Sequence, residues 1–269
     1  MKKETLLEFE ALLRVQIPEL QVSYKDKSWL HKAIGFLLGP VNPGYLGDFV
    51  TTLGTNVAFP TESDYLSKPQ SSFNVMAHEF VHACDHKKHP VWFPLSYLFP
   101  QVLGLIPLLV FGVLAGKGAL LLGPPILAYL GCCVLAKLSR VAAVIILALN
   151  VVGSLVLTWF LVGWTSLWLL GGLALMAPWP APGRTHWEQR GYAMSLALYQ
   201  WQGYPISDRL KTYTEDHFVT SQYYFMCWSR KKIRTYIDRV LEDARLGRLQ
   251  SNEPWSLVYD FLRSHRLVK

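Results

Sequence analysis

Charge is missing from one long stretch of this chain: between Val91 and Pro182 the only ionic side chains are Lys117, Lys137 and Arg140. The gap excludes an ordinary water-facing surface there, because soluble domains scatter charge along their whole length. Cysteine is scarce as well. Of the four, Cys132 and Cys133 are adjacent and Cys84 and Cys227 have no spaced partners, which leaves no disulfide framework and suits a reducing compartment. Internal repeats and low-complexity linkers are absent. The opening run MKKETLLEFEALLRVQI threads acidic residues through its apolar pattern, so it reads as an amphipathic helix and not as a signal peptide.

What is present is apolar bulk: 51% of the 269 residues are hydrophobic and 17% are charged. Runs within 91–182 are long enough to cross a bilayer core of about 30 Å at about 1.5 Å per residue. They predict about four spans, at residues 91–115, 119–136, 141–158 and 159–177, the last two forming one uninterrupted apolar run. Lys87, Lys88, Arg184 and Arg190 would flank the bundle on one side, with Lys137 and Arg140 in a loop on that side and little beyond Lys117 opposite. The positive-inside rule makes the richer side cytoplasmic. The expectation is an integral, multi-pass membrane protein divided into residues 1–90, 91–182 and 183–269, its two polar arms meeting on the cytoplasmic side as one domain. The net charge of +7 then reflects Lys and Arg beside anionic lipid, with no nucleic-acid partner. The cluster SRKKIR at Ser229 to Arg234 reads as a solvated helix face.

In the first arm a helix precedes the Gly/Pro-rich GPVNPGYLGDF. FVTTLGTNVAFP, at 49–60, has the β-branched residues and Gly break of a strand or short hairpin. TESDYLSKPQSS reads as a loop in which Ser71 or Ser72 caps the next helix. In the second arm an amphipathic helix runs from about His186 to Trp201 and stops at Gly203. Further helical stretches are expected at about 223–246 and in PWSLVYDFLRSHR.

The chemistry-bearing stretch is NVMAHEFVHACDHKKHP, residues 74–90. His78, Glu79 and His82 form H-E-x-x-H. On a helix the i, i+4 spacing puts both imidazoles on one face, where they can share a zinc ion, with Glu79 beside them to take a proton from bound water. Met76, Phe80 and Cys84 lie on the other face and give the helix something to bury. Asp85 could be a further ligand or a carboxylate that orients an imidazole. His86 and His89, with Lys87 and Lys88, suit a helix C-terminus before Pro90 breaks it. A hydrolytic zinc needs a third protein ligand and one open position. Glu188 is the candidate, in the first turn after the apolar block, with Tyr192, Ser195 and Tyr199 along its face. Thr185-His-Trp-Glu188 equally fits a capping box, and His186, His217, Asp216 and Asp85 are the other candidate ligands.

H-E-F-V-H followed by a helix-borne Glu resembles the gluzincin metallopeptidases. The apolar block between the two motifs is similar in layout to the HtpX and CAAX-prenyl endopeptidase group, whose Glu ligand lies in an E-x-x-A-D motif at the membrane surface. Here the matching residues read Glu188-Gln-Arg-Gly191-Tyr192, with another small residue for Ala and Tyr at the Asp position. HEFVHACD also resembles the H-E-F-x-H-x-x-D helix of the soluble MtfA-like peptidases. The resemblance implies an α+β, mainly helical, zincin-like metalloprotease domain split by an inserted bundle of about four transmembrane helices. It implies one Zn2+ on His78, His82 and Glu188, with Glu79 as general base in peptide-bond hydrolysis. TTLGTNVAFP would be an edge strand to which a peptide substrate adds, and an oxyanion stabiliser would come from Tyr213, His217, Tyr223 or Tyr224. The implied partners are a peptide or protein substrate and the lipid membrane. Two rivals stand beside this reading. One is a membrane di-iron oxygenase or desaturase, prompted by His78, His82, His86, His89 and His186 but lacking an adjacent His-His pair. The other is a non-catalytic membrane scaffold whose zinc ties the arms together.

Overall fold

Helix α1, Lys3–Gln16, spaces Leu6, Phe9 and Leu13 three and four residues apart, so that one stripe is buried. The Phe9 ring lies 4.5 Å from Phe73 and 4.9 Å from Phe261, centroid to centroid. That aromatic cluster joins α1 to α4, Pro69–Lys88, and to the last helix, α9, Trp255–Ser264. The computed structural model describes residues 1–38, 43–99, 180–220 and 226–269, together with isolated positions between 100 and 179. The chain divides into two units, Met1–Ser23 with Val50–Phe99 and Pro178–Lys269, and Tyr24–Phe49 with Pro100–Ala177.

The first unit contains every residue of the site developed below. Its sheet has the order β1-β3-β2, from Gln21–Tyr24, Thr51–Leu53 and Asn56–Phe59 numbered along the chain. FVTTLGTNVAFP therefore forms a hairpin, pairing Thr51 with Ala58, Thr52 with Val57 and Leu53 with Asn56. Gly54 opens its two-residue turn at a φ of 66°, a conformation that only glycine reaches without strain. Strand β1 had no sequence signal beyond a short apolar alternation. Helix α3, Glu62–Ser67, begins at Thr61, whose hydroxyl accepts from Asp64 N. Helix α4 starts ahead of the expected Ser caps because Pro69 suits a first helical turn. Ser72 instead donates its hydroxyl to Tyr65 O at 2.7 Å.

Four more α-helices belong to this unit: α5, Trp92–Leu98; α6, Pro182–Trp201; α7, Asp208–Val219; and α8, Arg230–Arg245. Helix α6 packs along α4, α5 and α8. Helix α7 was not anticipated, since its composition is mostly polar; Ser207 caps it, accepting from Leu210 N. The basic cluster is not simply solvated. Arg230 pairs with Asp216 at 2.6 Å, and Arg230 and Arg234 both reach the buried carboxylate of Glu215, locking α8 to α7. The helix expected over 223–246 begins at Arg230, and residues 221–225 lie outside those described.

In the second unit, α2, Trp29–Leu38, follows a fully buried lysine. Lys25 Nζ donates to the carbonyls of Tyr45 and Phe49, both at 2.7 Å, and sits 4.1 Å from the centre of the Tyr45 ring. These partners replace the water that burial removes.

The four-span expectation is overturned. Among the described residues no helix is long and apolar enough to cross a membrane. The first expected span, 91–115, opens as the seven-residue α5, about 10 Å long against a bilayer core of about 30 Å. Helix α5 ends at Phe99 in extended backbone. Its inner face is specific to protein contact: Trp187 Nε1 donates to Ser96 Oγ at 2.9 Å and Arg184 Nε donates to Tyr97 O at 3.1 Å. Within the last expected span, 159–177, a 3-10 turn occupies Gly163–Thr165 with Gly163 at a φ of 57°. The spans at 119–136 and 141–158 lie wholly or mostly outside the described residues. Among the described residues the transmembrane bundle, the multi-pass placement and the cytoplasmic orientation deduced from it have no helix to carry them. Hydropathy counted apolar residues without registering that Ser96 and Tyr97 point into a protein interface.

Candidate metal centre

Helix α4 presents His78 and His82 one turn apart, and α6 brings Glu188 against them. His78 Nε2 and His82 Nε2 stand 3.2 Å apart, and Glu188 Oε2 is 3.6 Å from the first and 3.7 Å from the second. A point equidistant from these three atoms lies about 2.0 Å from each, the length of a Zn–N or Zn–O bond. The three side chains form a group that could hold a metal ion.

Charge supports the same fit. Burial would lower the His82 pKa, but the carboxylates of Glu188, Glu79 and Asp85 outweigh it and push the imidazole up to about 9. Burial would raise the Glu188 pKa, but His82 and His78 hold that carboxyl well below the usual range. Two imidazole nitrogens crowded against a half-buried carboxylate thus call for a positive charge between them, which a proton on His82 or a divalent cation supplies. Two nitrogens and one oxygen are a donor set that zinc accepts, with a fourth position left over.

His78, Glu188 and Glu79 are each held by a neighbour. His78 Nδ1 lies 3.1 Å from Ser195 Oγ on α6, an arrangement that fixes the ring plane of a ligand. His82 Nδ1 is buried and has no hydrogen-bond partner among the described residues. Tyr97 donates its hydroxyl to Glu188 Oε1 at 2.5 Å; burial first, and then the Glu188 charge, raise the phenol pKa well above its ordinary value. Thr52 on β2 donates to Glu79 Oε2 at 2.7 Å. At Gly191 α6 passes so close that an added Cβ would sit 2.5–2.9 Å from three atoms of the His78 ring. That contact is the physical reason for a small residue three positions after Glu188.

The remaining candidates go elsewhere. Asp85 accepts two bonds from Arg190 Nε, at 2.8 and 3.0 Å, and so ties α4 to α6. Asp216 is taken by Arg230. His86 stands edge-on to Phe93, and His89 and His186 lie against Trp187. His217 is buried, with Nδ1 on Tyr213 O at 2.7 Å, and its ring faces Tyr192, which in turn meets His78 edge-on at 4.9 Å. Burial, the largest influence, lowers its pKa. Tyr223 and Tyr224 lie outside the described residues. The capping box is not formed: α6 begins at Pro182, and Thr185 Oγ1 donates to the carbonyls of Ala181 and Met226 instead. Sequence reasoning missed Tyr97 and Thr52. The first was hidden in an apolar run, where a Ser-Tyr pair was its only trace; the second was one of two threonines in a strand with no sign of facing Glu79.

No family model matches the chain, and neither the curated proteins nor the solved structures contain a match to it.

Proposed function

We propose that this protein is a zinc-dependent metalloendopeptidase of the gluzincin type. The observation that carries the reading is the convergence of His78 Nε2, His82 Nε2 and Glu188 Oε2 on a point about 2.0 Å from each, with the HExxH carboxylate of Glu79 on the next helical position. His78, His82 and Glu188 hold the ion. When bound, zinc supplies a Lewis acid that lowers the pKa of water to about 7 and polarises a carbonyl. Glu79 is the general base. Its carboxylate takes a proton from the attacking water as the new C–O bond forms, and passes it to the amine nitrogen as the C–N bond breaks. Thr52 engages Oε2, which orients the carboxylate and leaves Oε1 for the proton. Strand β2, one of the two outer strands of the described sheet, lies beside α4 and offers backbone groups with which an extended peptide can pair.

The rivals are less well supported. Two irons need more ligands than the one His, His, Glu group among the described residues provides. A closed structural zinc needs a fourth ligand, and Asp85 is committed to Arg190. The test is mass spectrometry of peptides incubated with the zinc-loaded protein in 18O-labelled water. Expected are internal cleavages whose new carboxyl groups carry the label and which stop when a chelator removes the metal. Absence of metal-dependent cleavage across a broad mixture of unfolded proteins overturns the proposal.

A further inference from the structure

The two oxygens of Glu188 are used differently. Oε2 faces the imidazoles, whereas Oε1 accepts the Tyr97 hydroxyl at 2.5 Å, within the short range of charge-assisted O–H···O bonds. Carboxylates bind cations through one oxygen or two. With both oxygens turned inward, Glu188 would add a fifth bond beside the water and crowd the position that a hydrolytic site keeps for water and substrate. Tyr97 opposes that rotation, and Tyr97 is itself fixed. Arg184 Nε holds its carbonyl, the Arg184 guanidinium lies 5.1 Å from its ring centre, and Phe93 packs 5.8 Å away.

We propose that Tyr97 is a positioning residue that confines Glu188 to one-oxygen coordination and thereby keeps one coordination position open. The inference rests on the metal reading above and deepens it: the side chain that sets the open position comes from α5, outside both ligand-bearing helices. The role is distinct from packing. Packing depends on the ring; confinement depends on a single oxygen atom.

Tyr97→Phe removes that oxygen and leaves the ring in place. The protein is loaded with cobalt(II), whose visible absorption distinguishes four-coordinate sites, which absorb strongly, from five-coordinate ones, which absorb weakly. The wild-type protein is expected to give a four-coordinate spectrum that shifts when azide enters the open position. Tyr97→Phe is expected to keep its cobalt, lose absorption several-fold toward the five-coordinate form, and bind azide several-fold more weakly. Unaltered absorption and azide binding in Tyr97→Phe overturn the role of Tyr97, as does loss of cobalt from the folded variant. The wild type alone also decides: a five-coordinate spectrum, or one indifferent to azide, overturns the inference without any variant. Failure of the folded wild type to bind cobalt or zinc at all is a separate result that removes the metal reading beneath it.

Discussion

Metal affinity at this centre should depend steeply on pH, because the ion must displace a proton. In the metal-free protein His82 is pushed up to about 9 from an ordinary 6.5, so at neutral pH its imidazole carries a proton that the ion must displace. Below its pKa a ligand costs a factor of ten in apparent affinity per pH unit. From His82 alone, lowering the pH from 8 to 6 should weaken zinc binding roughly 100-fold, against about fourfold for an unperturbed imidazole. The same shift governs the metal-free fold. A folded-state pKa above the unfolded one contributes stability that is complete below about 6.5 and is lost as the pH rises through about 9. Competition against a fluorescent chelator at pH 6, 7 and 8, corrected for the chelator's own protonation, reads the affinity. Calorimetry in buffers of different ionisation enthalpy reads the proton count, expected at about one released per zinc at pH 7. A fourfold affinity change with no proton release would refute the electrostatic picture of the site.

Gly191→Ala should weaken zinc binding and destabilise the fold by about 1–3 kcal/mol, because the methyl group meets the His78 ring; zinc titration and thermal melting check it, and wild-type behaviour in both would contradict the close approach. Asp85→Ala should cost about 2 kcal/mol in urea denaturation, less than a fully buried pair since Arg190 keeps some solvent contact, while zinc content stays at one per chain. Zinc lost from a protein of full stability would instead make Asp85 a ligand. Thr52→Val should lower peptide turnover roughly tenfold, a fraction of what a general base supplies, with zinc content unaltered; an unaffected rate would show that Thr52 does not orient Glu79.

The candidate ligands were legible because helical spacing places His78 and His82 on one face, and because Glu188 is a carboxylate on the helix that follows the apolar block. Glu188 lay open between ligand and cap until α6 was seen to begin at Pro182, which leaves Thr185 inside the helix. The hairpin was legible from β-branched residues around Gly54. Tyr97 was not, since its role arises only when α5 folds back on α6, and an apolar run carries no record of which face turns toward a carboxylate. The membrane spans were misjudged for the same reason: hydropathy averages over a window, whereas α5 stops after seven residues and spends its polar atoms on Trp187, Arg184 and Glu188. Asp85 illustrates a third limit. Its position on the ligand face is a matter of spacing, but its partner, Arg190, is set by how α4 and α6 cross.

The central claim is that Glu79 moves the proton at a metal held by His78, His82 and Glu188. The most direct test measures zinc content and peptide turnover side by side in the wild type and in Glu79→Gln. Full zinc occupancy in both, with turnover lost from Glu79→Gln by at least about 100-fold, is the predicted result. Wild-type turnover in a zinc-loaded Glu79→Gln would contradict it.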